Sequence, residues 1–488
     1  MKDLSIKQAW QTHLESAIGL SWNGTTFSGF NANVDIVVSL TPQVVRNLIS
    51  SNPSLNPAKI QKRLTDPLKS VRSPEDFIAL LLEGLRGGKS LFVICETPPL
   101  MNWLKKMFPE TEHKLGGQAG IISNQMSFLG ARSLLYSPIL SPQQAAVMNP
   151  GILYPSVQEN RLHLQPLHSC VKADDPTHSP WVFEYRKNEC YDLGFMKIIT
   201  PRANRIILAS KIPNLGLNFA PKLKPHLTEL GVECQVGFVA GYHLGGPEPE
   251  NPYARRKYFQ ESLNALRLFR SKNPALKIHL EYVPAKEREM ELEMLSTITQ
   301  QIDSFGINEI EIAKVLDSFG FQKLAQEIRE NERAYALYEG AYALKEKLGV
   351  ERIHVHNLGY YVLVLSKPYP SPLEKVRQAC LFGSAVNARK ALHGGFVTLE
   401  ELPEAAIVPL SSLGFQQLQV FAKELQEKRA HTLDLSQFMN TGIAELDDHY
   451  VILVPAQVVA DPVITVGMGD TISSASYATE IIGIKGEV

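Results

Sequence analysis

Residues 464–475, ITVGMGDTISSA, place two glycines and a carboxylate between an apolar stretch and a run of small side chains. Residues 464–466 predict the end of a buried strand, and Thr471 onward predicts a helix start. Gly467 and Gly469 permit a tight turn and close backbone approach. A strand, a glycine turn and a helix start aim backbone N–H groups at an anion. Asp470 among them is either a helix N-cap or a base held beside a phosphate.

Other stretches carry candidate polar groups, each with a plainer reading beside it. In NANVD, Asn31, Asn33 and Asp35 alternate, so one face of an extended segment can present all three to hydroxyls; taken alone, the stretch fits better as a surface turn with side-chain-to-backbone hydrogen bonds. In GGQAG, Gly116 and Gly117 allow close approach and Gln118 offers a donor and an acceptor, or the glycines serve helix packing. In KIHLEYVP, Glu281 falls near the carboxyl end of a strand, where a buried acid needs a partner such as Mg²⁺ or a cationic side chain. In GINEIEIAKVL, Asn308 and Glu311 have capping-box spacing, which by itself accounts for both. In HVHNLGYY, His354 and His356 share a strand face and can line a purine site or simply satisfy each other's surroundings. A third ligand at metal-like spacing is absent there, which argues against zinc. In FEYRKN, Arg186 and Lys187 form a cationic pair suited to a phosphate or to solvent.

Behind these residues stands a chain of 488 residues with 44% hydrophobic and 20% charged residues and a net charge of -1. At roughly 150 residues per domain that length predicts two to four units. The charge balance gives no reason to expect nucleic acid or a membrane surface as partner. The longest apolar run, near 451–467, is interrupted by Pro455, Asp461 and Pro462, short of the ~18 residues a span needs. The N-terminal residues predict an amphipathic helix rather than a signal peptide. Five scattered cysteines fit reduced thiols, so a cytoplasmic location is expected. Helices alternating with buried strands from about residue 213 onward predict a parallel sheet flanked by helices, with ligands beyond the carboxyl ends of its strands. Residues 41–110 and 151–212 differ in texture and predict a smaller lid domain. Residues 1–40, 111–150 and 213–488 are left for a large α/β domain.

The order of GFNANVD, GGQAGI, PRANRII, HLE, INEIE, HVHNLGYY and TVGMGDTISS along almost the whole chain resembles the ADP-dependent sugar kinase family of archaea, which comprises phosphofructokinases and glucokinases. The resemblance implies a ribokinase-like fold: a large doubly wound α/β domain with a smaller α+β lid. It implies transfer of the β-phosphoryl of ADP to a sugar hydroxyl, with Mg²⁺ as cofactor and ADP and a sugar or sugar phosphate as small-molecule partners. Residue by residue, it makes Asp470 the base and places Glu281, Glu311 and Asp470 at the Mg²⁺. Asn33, Asp35, Gly117 and Gln118 fall at the sugar. Asn308, His356, Asn357, Val459, Gly467 and Gly469 fall at the ADP, and Arg202 and Arg205 near the phosphates.

Glucokinases of that family carry a lid glutamate just after a GK turn. Here the aligned position is Phe92, and Glu96 comes several residues too late; His178 precedes FEY by a wider gap than the glucokinase histidine. Arg186, Lys187 and Arg202 are the cations available for a sugar phosphate. The expected acceptor is therefore fructose 6-phosphate, with glucose or dual specificity as the alternative and a non-catalytic metabolite-binding homologue as a more distant one.

Overall fold

The structure, a computed structural model, describes residues 2–65, 71–88, 90–95, 97–109, 111–209, 212 and 215–485. Runs such as VGFV and RIHVHN are buried at every position. Side chains with no solvent-facing alternate must have helices on both faces, the condition for a parallel sheet. They lie at the centre of an eleven-stranded sheet. Arg352–Asn357, Ser304–Asn308, Lys277–Glu281, Val236–Val239, Thr25–Gly29, Arg132–Tyr136 and Leu153–Gln158 run parallel in that order. Antiparallel strands extend both edges: Tyr360–Ser366, His449–Pro455 and Ile443–Glu445 on one side, Arg161–Pro166 on the other. The helix Met468–Ile482 packs on the central strands, against Gln118–Phe128 and Leu373–His393. This is the expected α/β architecture.

A second, five-stranded sheet runs Leu91–Ile94, Asn204–Ala209, Trp181–Tyr185, Asn33–Ser39, Glu112–Gly116. It has its own core, with Phe77, Trp181, Phe183, Tyr191 and Leu208 buried together and separate from the core of the large sheet.

Strand pairing redraws the expected boundaries. Residues 33–39 and 112–116, expected in the large domain, belong to the small sheet, while 153–158 and 161–166, expected in the lid, belong to the large one. The alternation of polar and apolar residues marks a strand but not the sheet it joins. The chain consequently passes between the sheets at residues 30–32, at Gly117, between Pro166 and Trp181, and between Ala209 and Val236.

Candidate active site

The glycine turn differs from expectation in one respect. Residues 464–466 form no strand; they belong to an irregular segment whose Val458, Val459, Pro462, Ile464 and Thr465 line a cavity. The apolar character that suggested a strand faces that space instead. The following helix begins at Met468, and its N-cap is Gly467, with φ of 69°. A side chain at Gly467 would be strained by that φ, and its Cβ would come within 2.9 Å of Ile121. Asp470 is thus the third residue of the helix and not its cap. The first intrahelical bond runs from Thr471 N to Gly467 O, 3.0 Å, so the N–H groups of Met468, Gly469 and Asp470 have no acceptor within the helix. They are available to an anion, as the spacing suggested.

Two cavities meet at this turn. The first, of about 500 Å³, is lined by His356, Asn357, Asn387, Gln457 and Val459 and by the acids Glu281, Glu309, Glu311 and Asp470. The second, of about 550 Å³, opens between the two sheets and is lined by Asn31, Asn33, Asp35, Phe92, His178 and His243 among others. Gln118, Arg205, Val283, Asn308, Glu311, Gly467 and Asp470 line both. A donor in one and an acceptor in the other would therefore share Asp470, Arg205 and the helix N-terminus.

Hydrogen bonds fix the walls. Gln118 accepts from Asn31 Nδ2 (3.1 Å) and donates Nε2 to the Glu281 carbonyl (3.1 Å). His178 Nδ1 lies 2.8 Å from Asn33 Oδ1. The capping box is present: Asn308 Oδ1 accepts from the amides of Ile310 and Glu311, and Glu311 Oε2 accepts from the Asn308 amide at 3.0 Å. Both residues also line both cavities, so the same side chains build the helix cap and the cavity wall. Lys390, which sequence reasoning missed, is buried beneath the turn and donates to Thr471 Oγ1 at 2.9 Å.

The electrostatics are those of a site short of cations. Burial, then the charge of Glu281, pushes Asp470 up to about 7. Burial likewise raises Asp35 to about 7 and Glu311 to about 8. Glu281 goes the other way: burial alone would raise it, but hydrogen bonds from His279 and His356 bring it down to about 2. Several buried acids held near neutrality form an environment that a cation would relieve. Among the described residues no cluster of three or more His, Cys, Asp or Glu side chains could chelate a metal alone. Glu281 and Glu311 suit a hard cation that keeps its waters and shares its shell with phosphate oxygens, not a closed protein cage.

Of the candidate residues, Asn33, Asp35, Gly117, Gln118, Arg205, Asn308, His356, Asn357, Val459, Gly467, Gly469, Glu281, Glu311 and Asp470 all line one cavity or both. Arg186, Lys187 and Arg202 line neither and are exposed. Pro180, at the start of the strand Trp181–Tyr185, lines the second cavity, and Arg186 and Lys187 lie past the far end of that strand. Arg202 Nε is taken by Gly88 O at 2.6 Å. Arg205, Ile207 and Ala209 share the strand face that lines the cavity. Glu96 lies outside the described residues.

Along almost its whole length the chain is similar to known proteins. The family model described as ADP-specific phosphofructokinase/glucokinase conserved region matches residues 25–479. The chain belongs to the ADP-specific phosphofructokinase/glucokinase family. Within it, the chain is 31% identical to an ADP-specific phosphofructokinase of Methanosarcina acetivorans over 492 residues, covering 99% of each. It is 27% identical to an ADP-dependent glucose/glucosamine kinase of Pyrococcus furiosus over 460 residues, covering 93% of each. Among solved structures of this kinase family, an ADP-dependent kinase complex with fructose-6-phosphate and ADPbetaS superimposes with a TM-score of 0.83 at 29% identity, covering 98% of this chain and 97% of that one.

Proposed function

We propose that this protein is an ADP-dependent phosphofructokinase of glycolysis, converting fructose 6-phosphate and ADP to fructose 1,6-bisphosphate and AMP. The observation that carries this reading is the position of Asp470 and its helix N-terminus on the shared wall of two cavities. ADP occupies the cavity of His356, Asn357 and Val459, and the sugar occupies that of Asn33, Asp35, Gly117 and Gln118. Asp470 takes the proton of the sugar C1 hydroxyl as its oxygen bonds to the β-phosphorus. The bond from that phosphorus to the bridging oxygen breaks, and AMP leaves with the electron pair. The free N–H groups of the turn and the Arg205 guanidinium meet the charge spread over the transferring group. Mg²⁺, when bound, supplies neutralisation of the diphosphate, and Glu281 and Glu311 are the residues that would hold it.

Phe92, where the glucokinase lid glutamate is expected, lines the sugar cavity and offers no hydrogen bond to a glucose hydroxyl. That supports fructose 6-phosphate over glucose. The test is a panel of both sugars with ADP and ATP, measuring phosphosugar formed. The highest kcat/KM is expected for fructose 6-phosphate with ADP. Faster transfer from ATP at saturation, or preference for glucose, overturns the assignment.

Because Arg186 and Lys187 lie outside the cavities, Arg186→Ala and Lys187→Ala are expected to change kcat/KM for fructose 6-phosphate by less than about threefold. A direct contact with the sugar phosphate would instead cost roughly 1.5–3 kcal/mol. A loss of tenfold or more on fructose 6-phosphate alone would put them at the phosphate after all.

Glu311→Gln separates capping from cation binding. Gln retains the capping-box hydrogen bond but removes the charge. Glu311 has a raised pKa in the fold, so ionising it costs stability as pH rises toward about 8. The variant is therefore expected to melt at or above the wild-type temperature at pH 8 while needing more Mg²⁺ for half-maximal rate. An unchanged Mg²⁺ titration would leave Glu311 a cap only.

A further inference from the structure

His279, Ser304 and Arg352 stand opposite one another on three adjacent parallel strands: His279 pairs in register with Ser304, and Ser304 with Arg352. All three are 0% exposed. Arg352 Nη1 donates to Ser304 Oγ at 3.0 Å, Ser304 Oγ lies 2.9 Å from His279 Nδ1, and His279 Nε2 lies 3.1 Å from Glu281 Oε2. Behind Arg352, Glu480 Oε2 is 3.1 Å from its Nε, and Tyr369 Oη donates to the other Glu480 oxygen at 2.6 Å. Glu480 lies on the same helix that carries Asp470.

The directions of these hydrogen bonds are determined by the groups at the two ends. A guanidinium only donates, and an ionised carboxylate only accepts. Glu281 therefore requires the proton on His279 Nε2, and the neutral ring then presents Nδ1 as an acceptor. Ser304 has one hydroxyl proton. With a lone pair taken by Arg352, that proton is aimed at Nδ1. The series runs Arg352 to Ser304 to His279 to Glu281, each member donating toward the site. Gly306 leaves the room this needs: a Cβ there would fall 2.3 Å from Glu281 Oε2 and 2.8 Å from His279 Nε2. A fully buried ion pair such as Arg352–Glu480 is a poor device for stability alone, since apolar residues of similar volume often do as well.

We propose that Ser304, backed by the buried Arg352–Glu480 pair, is a positioning residue that fixes the tautomer of His279 and thereby the orientation of Glu281 toward the cation that accompanies ADP. This rests on the reading of Glu281 given above. Ser304 touches neither substrate nor cation; it acts through the histidine, as outer hydrogen-bond partners do at metal sites, where their loss typically costs 10–100-fold in affinity or activity.

The test measures ADP affinity calorimetrically at stepped Mg²⁺ concentrations without sugar, so that turnover plays no part. Ser304→Ala is expected to raise the Mg²⁺ midpoint about tenfold, the low end of the effect of outer hydrogen-bond partners. Ser304→Cys, of similar size with a weak donor, should fall between, and it serves if the alanine variant does not fold. In the double variant with His279→Gln, the serine change should add nothing to the loss from His279→Gln alone. A shift under twofold in both serine variants, or full additivity with His279→Gln, overturns the proposal. Glu281→Gln is the control. If it moves the Mg²⁺ midpoint while the serine variants do not, the positioning role alone is wrong. If it moves nothing, the cation reading of Glu281 fails and the positioning role falls with it.

Discussion

Asp470→Asn is expected to lower kcat by at least about a hundredfold, the usual cost of losing a general base, while ADP affinity stays within a few-fold. Asn keeps the shape of the side chain in the first turn of its helix and leaves Gly467 as N-cap, so the free backbone N–H groups of the turn proposed to meet the phosphate are unchanged. What is lost is the acceptor for the hydroxyl proton. The same variant carries a second signature. Asp470 has a folded pKa raised to about 7, chiefly by burial, against about 3.9 in an unfolded chain. The folded state therefore binds that proton more tightly, and ligand-free stability falls as pH rises from about 4 through 7. Asn cannot ionise. The variant should melt higher than wild type at pH 8, and the gap should close near pH 4. The activity of the wild type should run the other way, declining as pH falls through the pKa of the base. Near-normal turnover with an unchanged melting profile would show that Asp470 is only a residue of the helix.

Arg205→Met is expected to reduce kcat/KM for both substrates by about a hundredfold or more. Arg205 lines both cavities and donates Nη1 to Thr465 O at 3.3 Å, leaving most of its donors for phosphate oxygens. Burial lowers its pKa from the ordinary arginine value, and the charges of Asp470, Glu184, Asp35 and Glu311 oppose that. Hydrogen bonds to charged groups contribute roughly 1.5–3 kcal/mol each, so loss of one to the transferring group gives a ten- to hundredfold effect. Leaving Asp35 and Asp470 without their shared counter-charge adds to it. Steady-state kinetics with each substrate varied, on protein shown to be folded, decide the matter. A loss confined to one substrate would assign Arg205 to that cavity alone, and a loss under threefold on both would make it a tether of the 465 loop.

Much of the site was readable from local spacing. The turn at 467–470, the cap at 308–311 and the strand-end acid at 281 are each set within a few residues, where pattern and chemistry coincide. What spacing could not convey were contacts between distant segments. Asn31 meets Gln118, His178 meets Asn33, and Lys390 meets Thr471; each pair is far apart in sequence and carries no mark of its partner. The apolar run at 464–466 looked like a strand because packing against a cavity and packing against a sheet select the same side chains. FEYRKN left a phosphate and solvent equally open as partners, because adjacent cations are visible locally but what they face is not. The position of a strand's end relative to the cleft is a property of topology. The same limit misassigned 33–39 and 153–166 between the sheets.

Four stretches of backbone join the two sheets, and each contributes residues to the cavity between them: Asn31 and Ala32 from the first, Gly117 from the second, His178 and Pro180 from the third, Leu215 and Leu217 from the last. A molecule in that cavity touches every covalent tie between the two units. It behaves as the pin of a hinge whose leaves are the two sheets. Filling the cavity and setting the angle between the leaves therefore involve the same four segments of chain.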